Sequence, residues 1–269
     1  MESTSLALLH SIQLDMLVKF DKFCSDNKLT YFLCSGTAVG AVCYSGFVPW
    51  DDDVDVGMPR KDYEALLKLG TAALPENLFL QTYETDSHYF FPFGKIRLGN
   101  SFYPLRDAEK MKYQGIYIDI FPFDKVPANK KKATRRIVFS RFLWFTCVFC
   151  RRTYPGKKLF PRIVSDLTHR FSDDWKLRLY KLFDKYCVKY DPKETESWTC
   201  YCWPKSRDNV FIFDQRELFP TDTMAFEGMA MQVPHDADSF LSKVYGDYHV
   251  PPPEEKRTGH LKGRPFRLE

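Results

Sequence analysis

The sequence predicts an α+β (α/β) fold: a mixed β-sheet core with a long helix ahead of it and a helical insertion partway along. Three observations predict it. Apolar residues recur at three-to-four spacing near the N-terminus; short alternating or wholly apolar runs follow up to residue 121; and a basic, aromatic stretch of helical character then separates these from further strand-like runs. At 269 residues, 44% hydrophobic and 16% aromatic, the chain has ample material for a packed core.

Residues 4–27 place Leu6, Leu9, Met16, Leu17, Phe20, Phe23 and Cys24 along one helix face, behind a Ser/Thr cluster able to cap it. LTYFLCSG reads as a short buried strand ending in Gly36. DVDVGM reads as a second strand, with Val54 and Val56 on one face and Asp53 and Asp55 on the other. Between them lies a segment with Gly40, Gly46 and Pro49. Pro59 precedes the helical RKDYEALLKLG, and strands are expected at 78–83, 93–98 and 115–121. From ANKKKATRR to about residue 190 the pattern is mainly helical. Strand-like runs return at 210–213 and 225–233, followed by a helix at 236–245. The Pro-rich, basic tail PPPEEKRTGHLKGRPFRLE reads as extended and partly mobile. The expected units are a catalytic core at 1–128, a helical insertion at 129–205 and a return to the core at 206–269.

A net charge of +4 is too small to argue for nucleic acid as a partner. The N-terminus lacks a basic n-region and Asp15 interrupts its apolar residues, so the expected location is cytoplasmic. Eight scattered cysteines read as buried thiols; a zinc site from the CxxC at 147–150 and the CxC at 200–202 is disfavoured because the CxxC sits in an apolar helical run. The run from Ile137 to Cys150 contains Arg141 and falls short of the ~20 residues that span a bilayer. Lys130, Lys131, Lys132, Arg135 and Arg136 precede it, and Arg151 and Arg152 follow. Segment 130–152 therefore either lies in the interface of an anionic membrane or forms a core helix with solvated basic ends; periodicity leaves both open.

The stretch FVPWDDDVDVGM concentrates acids that repel one another and gain nothing from burial alone. Asp53 and Asp55, at i and i+2 on a strand, share a face about 7 Å apart at Cα, which suits shared ligation of a divalent ion. Mg²⁺, with Mn²⁺ as the alternative, favours few carboxylates plus phosphate oxygens. Asp51 and Asp52 are expected to shape the turn before the strand. Upstream, Gly36 allows close backbone approach to a phosphate, with the Ser35 and Thr37 hydroxyls as donors. Downstream, Asp119 stands between Ile118 and Ile120, and a buried acid without a sequence partner needs a spatial one. A structural Ca²⁺ loop is disfavoured, since Tyr63 occupies the place of the closing Glu.

The order of a Gly-hydroxyl turn, Asp53-Val54-Asp55-Val56 and Ile118-Asp119-Ile120 resembles the nucleotidyltransferase superfamily, with Thr37 where Gly or Ser is usual. More specifically, GTAVG and GFVPWDDDVD resemble the LicD family of phosphocholine transferases, as do FGKIRL, YIDIFPFD, FEGMAMQVP, FLSKVYGDY and the terminal Arg257 and His260. The likeness is weakest over 130–205.

The resemblance, which extends to the fukutin group, implies a nucleotidyltransferase-like core that transfers phosphocholine from CDP-choline to a hydroxyl of a teichoic acid or lipopolysaccharide precursor, releasing CMP. It implies a metal held by Asp53 and Asp55, with Asp119 completing the shell or taking the acceptor proton. Lys95 and Arg97 would balance phosphate charge. Trp50, Tyr89, Phe90, Phe91 and Phe93 are candidates to face the choline cation. Glu227 and His260 match the family without a derivable role. The acceptor would be lipid-linked at the inner face of the membrane, matching the basic aromatic segment. Rival readings are a nucleotidyltransferase moving NMP from an NTP, and a phosphotransferase using CDP-ribitol or CDP-glycerol.

Overall fold

A computed structural model describes residues 6–152, 168, 170–189, 195–203, 210–259, 261 and 265–268. Helix α1 (Leu6–Asp26) buries Leu9, Gln13, Met16, Leu17, Phe20, Phe23 and Cys24, as its spacing predicts apart from the polar Gln13 and from Leu6, which is half-buried. Strand β1 (Phe32–Leu33) is shorter than expected, because helix α2 (Ser35–Tyr44) begins straight after Cys34. Gly36 therefore sits in the first turn of a helix and does not end the strand. Gly36 reads as part of a turn in the sequence, but α2 takes in both Gly36 and Gly40, and the Gly46 carbonyl packs closely against Gly40.

Strand β2 (Asp55–Pro59) leads directly into helix α3 (Arg60–Leu69), as Pro59 predicts. Strands β3 (Leu78–Gln81), β4 (Gly94–Leu98) and β5 (Ser101–Phe102) precede β6 (Tyr117–Lys125), which is buried along all but its last residue and runs four residues past its expected end. Pro122 falls between the stretches of β6 paired with β4 and with the later strand β7 (Ser197–Thr199), where a missing N–H costs the ladder least. The sheet order is β1-β2-β6-β4-β3, with β7 and β8 (Phe213–Asp214) extending from the far end of β6. The chain thus rejoins the sheet at β7, ahead of residue 206. β2 and β6 are parallel; the other pairs are antiparallel, so the sheet is mixed as expected.

The 129–205 region carries helices α4 (Lys130–Arg151) and α5 (Asp173–Cys187) ahead of β7. Arg151 donates to the carbonyls of Tyr83 and Tyr89 at 2.9 and 3.0 Å and lies over the Tyr180 ring. The short α6 (Gln215–Leu218) is followed by β9 (Asp222–Phe226) and β10 (Met229–Val233). These form a hairpin where one strand at 225–233 is expected. Its two-residue turn places Glu227 and Gly228 at φ 50° and 77°, the left-handed pair of a tight hairpin, and the apolar run on both sides hides it from alternation. Helix α7 (Ala237–Tyr245) follows. The tail is held more firmly than its composition suggests: β11 (Arg267–Leu268) pairs with β5, and Phe266 is buried.

Arg60, at the start of α3, donates to both Asp124 oxygens at 2.7 and 2.9 Å and to Asp184 of α5 at 3.3 Å. Tyr83 donates to the other Asp184 oxygen. Asp124 is fully enclosed, so this network joins sheet, α3 and α5 in a low-dielectric setting. Removing one member strands a buried charge. Arg60→Ala is therefore expected to cost roughly 3–5 kcal/mol in denaturant unfolding, and an unchanged midpoint would contradict this role for the network.

Candidate active site

The sheet register brings the candidate acids together. Asp55 of β2 lies directly beside Asp119 of β6, and Lys95 of β4 lies opposite Asp119 on the other side. Side chains alternate along a strand, so residues in register share a face; the strand begins at Asp55 and not at Asp53 as expected, yet the Asp53 carboxylate, just ahead of it, joins the others. One carboxylate oxygen from each of Asp53, Asp55 and Asp119 lies within 4.8 Å of the others. Asp53 and Asp119 are buried and Asp55 half-buried.

Lys95 is buried and donates to Asp119, with its ammonium 3.7 Å from the Tyr117 ring centroid and 4.9 Å from that of Phe91. Burial raises the Asp55 carboxyl well above the ordinary range, and the charges of Asp53, Asp119 and Asp51 add to this. Burial also raises Asp119, against the opposing pull of Lys95. The Lys95 ammonium is lowered by its own burial, partly offset by Asp119. Three carboxylates converging beside the Lys95 ammonium suit an additional cation at that point. The all-oxygen donor set suits a hard divalent ion such as Mg²⁺.

Backbone contacts hold the loop before β2 in place. Asp119 N–H donates to Val54 O at 2.8 Å, starting the ladder one residue before the strand. Asp55 N–H donates to Thr37 Oγ1 at 2.9 Å, so Thr37 on α2 positions an acid from behind. The Asp51 carboxylate rests against the first turn of α2, where helix N–H groups favour an anion. A Cβ at Gly36 would lie 2.3 Å from Asp51 Oδ2, so a larger residue there would displace that carboxylate. The Asp52 carbonyl accepts from Gln13 at 2.9 Å and Tyr103 at 3.2 Å, and its carboxylate accepts from Leu261 N–H at 2.7 Å. His10 lies 2.8 Å from the Asp51 carbonyl. The reading of Asp51 and Asp52 as turn-shaping residues agrees with these contacts.

Ser35 and Gly36 line a cleft of about 420 Å³ that also takes in Asp53, Asp55, Phe93, Phe121, Trp203 and Tyr245. Phe91 and Trp144 complete its aromatic wall. The buried indole nitrogens of Trp144 and Trp203 lack an acceptor among the described residues. Other expected substrate contacts lie elsewhere. Arg97 is buried behind the site, donating to Gln81 at 2.8 Å and the Gly115 carbonyl at 2.7 Å. Tyr89 and Phe90 are core residues, and Trp50 lies outside the cleft under the Arg257 guanidinium at 4.8 Å. Glu227 accepts from Phe47 N–H at 3.0 Å, bracing the turn that leads into the acidic loop. His260 lies outside the described residues. Trp144, Trp203, Phe121 and Tyr245 come from separate elements, and no sequence spacing links them; Gln13 alone left a local sign, as a polar residue on an apolar helix face.

The raised Asp55 carboxyl sets a pH dependence. A group whose folded value lies above its unfolded one keeps more protons folded than unfolded, so stability is lost as pH rises toward the folded value. Without divalent ions, Asp55→Asn is expected to melt above the native protein at neutral pH, with the difference vanishing below the ordinary carboxylate range. Thermal melts in chelator across that span measure it, and a lower neutral melting temperature for the variant would refute the repulsion.

Residues 28–163 match the family model described as LicD/FKTN/FKRP, nucleotidyltransferase domain. The lipopolysaccharide cholinephosphotransferase LicD of Haemophilus influenzae is 26% identical over 274 residues, covering 97% of each chain. The matched span holds β2, β4 and β6 with all three acids and Lys95, and with the motifs around them it makes this chain a member of the LicD/FKTN/FKRP nucleotidyltransferase-domain family.

Proposed function

We propose that the protein transfers phosphocholine from CDP-choline to a hydroxyl of a cell-surface glycan precursor of the lipopolysaccharide or teichoic acid kind, releasing CMP, with a divalent metal bound at the acids. The observation that carries this is the juxtaposition of three carboxylates with an aromatic cleft. A choline-phosphate donor presents an anionic diphosphate beside a cation that has no hydrogen-bond donors. Such a cation is recognised by ring faces and by nearby negative charge. The relative's activity on lipopolysaccharide supports the same reading.

Asp53 and Asp55 would hold Mg²⁺ or Mn²⁺, which when bound supplies positive charge to the diphosphate oxygens. The acceptor oxygen forms a bond to the choline-bearing phosphorus as that phosphorus parts from the bridging oxygen, which leaves with CMP. Asp119, held by Lys95, would accept the acceptor's proton or complete the metal shell. Phe93, Phe121 and Trp203 exclude water and offer faces to the trimethylammonium. Arg97, Thr37 and Glu227 act by positioning: Arg97 braces β4 behind Lys95, Thr37 holds Asp55, and Glu227 holds the incoming turn.

Asp53→Asn and Asp119→Asn are each expected to lower CMP release from CDP-choline by at least about a hundredfold while leaving the fold intact by circular dichroism. Thermal-shift binding with Mg²⁺ separates the donors: stabilisation by CDP-choline and by none of the common NTPs supports the assignment, and a response to NTPs alone points to nucleotidyl transfer. Trp203→Leu is expected to raise KM for CDP-choline about tenfold with little change in CMP inhibition; equal loss of CMP would move Trp203 to the nucleoside.

A further inference from the structure

Helix α4 is apolar on two sides. Its inner side buries Ile137, Leu143, Cys147 and Val148 against the protein. Its outer side exposes Val138 at 45%, Phe139 at 50%, Phe142 at 65% and Phe145 at 44%. These four follow three-to-four spacing and form one stripe. A run of exposed phenylalanines on a single helix face exceeds the scattered apolar surface of an ordinary monomer. The sequence leaves interface and core open as homes for this segment; the structure supplies a face for each.

The charge around the stripe selects what covers it. Lys130, Lys131, Lys132 and Arg135 are exposed at the N-terminal end of α4. The sequence has no Asp or Glu between Asp124 and Asp166, so the helix offers no acid to balance them. A second copy of the same helix would bring none either. No helix among the described residues is long and apolar enough to cross a membrane, so the stripe has no spanning partner within those residues. An exposed aromatic stripe with a cationic end fits the headgroup region of an anionic bilayer, where the rings enter the acyl boundary and the lysines meet phosphates.

We propose that the outer face of α4 seats the protein on an anionic lipid surface. Position adds a consequence, since Trp144 lines the cleft while its neighbour Phe145 faces outward. One helix thus forms both the wall of the cleft and the seat, and a membrane-bound acceptor would arrive at the cleft from the surface on which the protein rests. This goes beyond the reaction and stands independently of which donor is used.

Vesicle flotation of the native protein tests it. At low salt the protein is expected to float with vesicles containing phosphatidylglycerol and to stay behind with phosphatidylcholine alone, losing binding as salt screens the lysines. The double variant F142S/F145S is expected to reduce the floated fraction at least about fivefold. The charge-reversed K130E/K131E/K132E is expected to do the same through the other half of the site. All of these side chains are exposed, so melting temperatures are expected to match the native protein, and CMP release without vesicles is expected to be unchanged. A native protein that remains in the aqueous fraction at low salt overturns the proposal, as does a double variant that floats like the native one. So does a native dimer that does not float and that F142S/F145S converts to monomer, because the stripe would then be a self-contact.

Discussion

The site depends on one constraint, the double register of β6. A parallel neighbour on one side sets Asp55 beside Asp119, and an antiparallel neighbour on the other sets Lys95 opposite the same residue. Shifting either pairing by one residue would turn a charged side chain to the opposite face, into the layer that holds Ile118 and Ile120. Burial of β6 on both sides supplies the apolar pressure against such a shift. The core therefore specifies the charge arrangement, although the charges themselves oppose burial.

The rest of the molecule steadies that arrangement from outside. α1 contributes Gln13 and His10 to the acidic loop, α2 contributes Thr37, and the β9–β10 turn contributes Glu227. Several of these contacts end on backbone atoms of the loop, so they fix its path without neutralising its carboxylates. Preorganisation of this kind keeps like charges close in the absence of substrate, where a freer loop would relax and separate them.

Much of the fold was legible because it rests on local periodicity: α1, α3, α7 and strands β3 and β4 fall close to where their patterns place them. The Asp53 and Asp55 pair was legible for the same reason, since an i, i+2 spacing on an extended chain already implies a shared face. Asp119 stood out as an acid between isoleucines. Its pairing with Lys95 was not legible, because strand order is a long-range property that alternation does not carry. Arg97 shows the converse limit: its spacing from Lys95 suggests a common task, yet Gln81 and the Gly115 carbonyl retain it behind the site. Glu227 acts across 180 residues, and only the fold reveals what it holds. The start of α2 was missed because glycine serves both turns and close helix packing.

The contact between Leu261 and Asp52 spans 209 residues. The entropic cost of closing a loop grows only slowly with its length, so such a contact adds little further cost once the sheet is in place. During synthesis the sheet pairings of β2, β4 and β6 become available long before Leu261 emerges. The amide that meets the Asp52 carboxylate is thus supplied by one of the last residues of this sequence to be made, after the sheet pairings that bring the acids together.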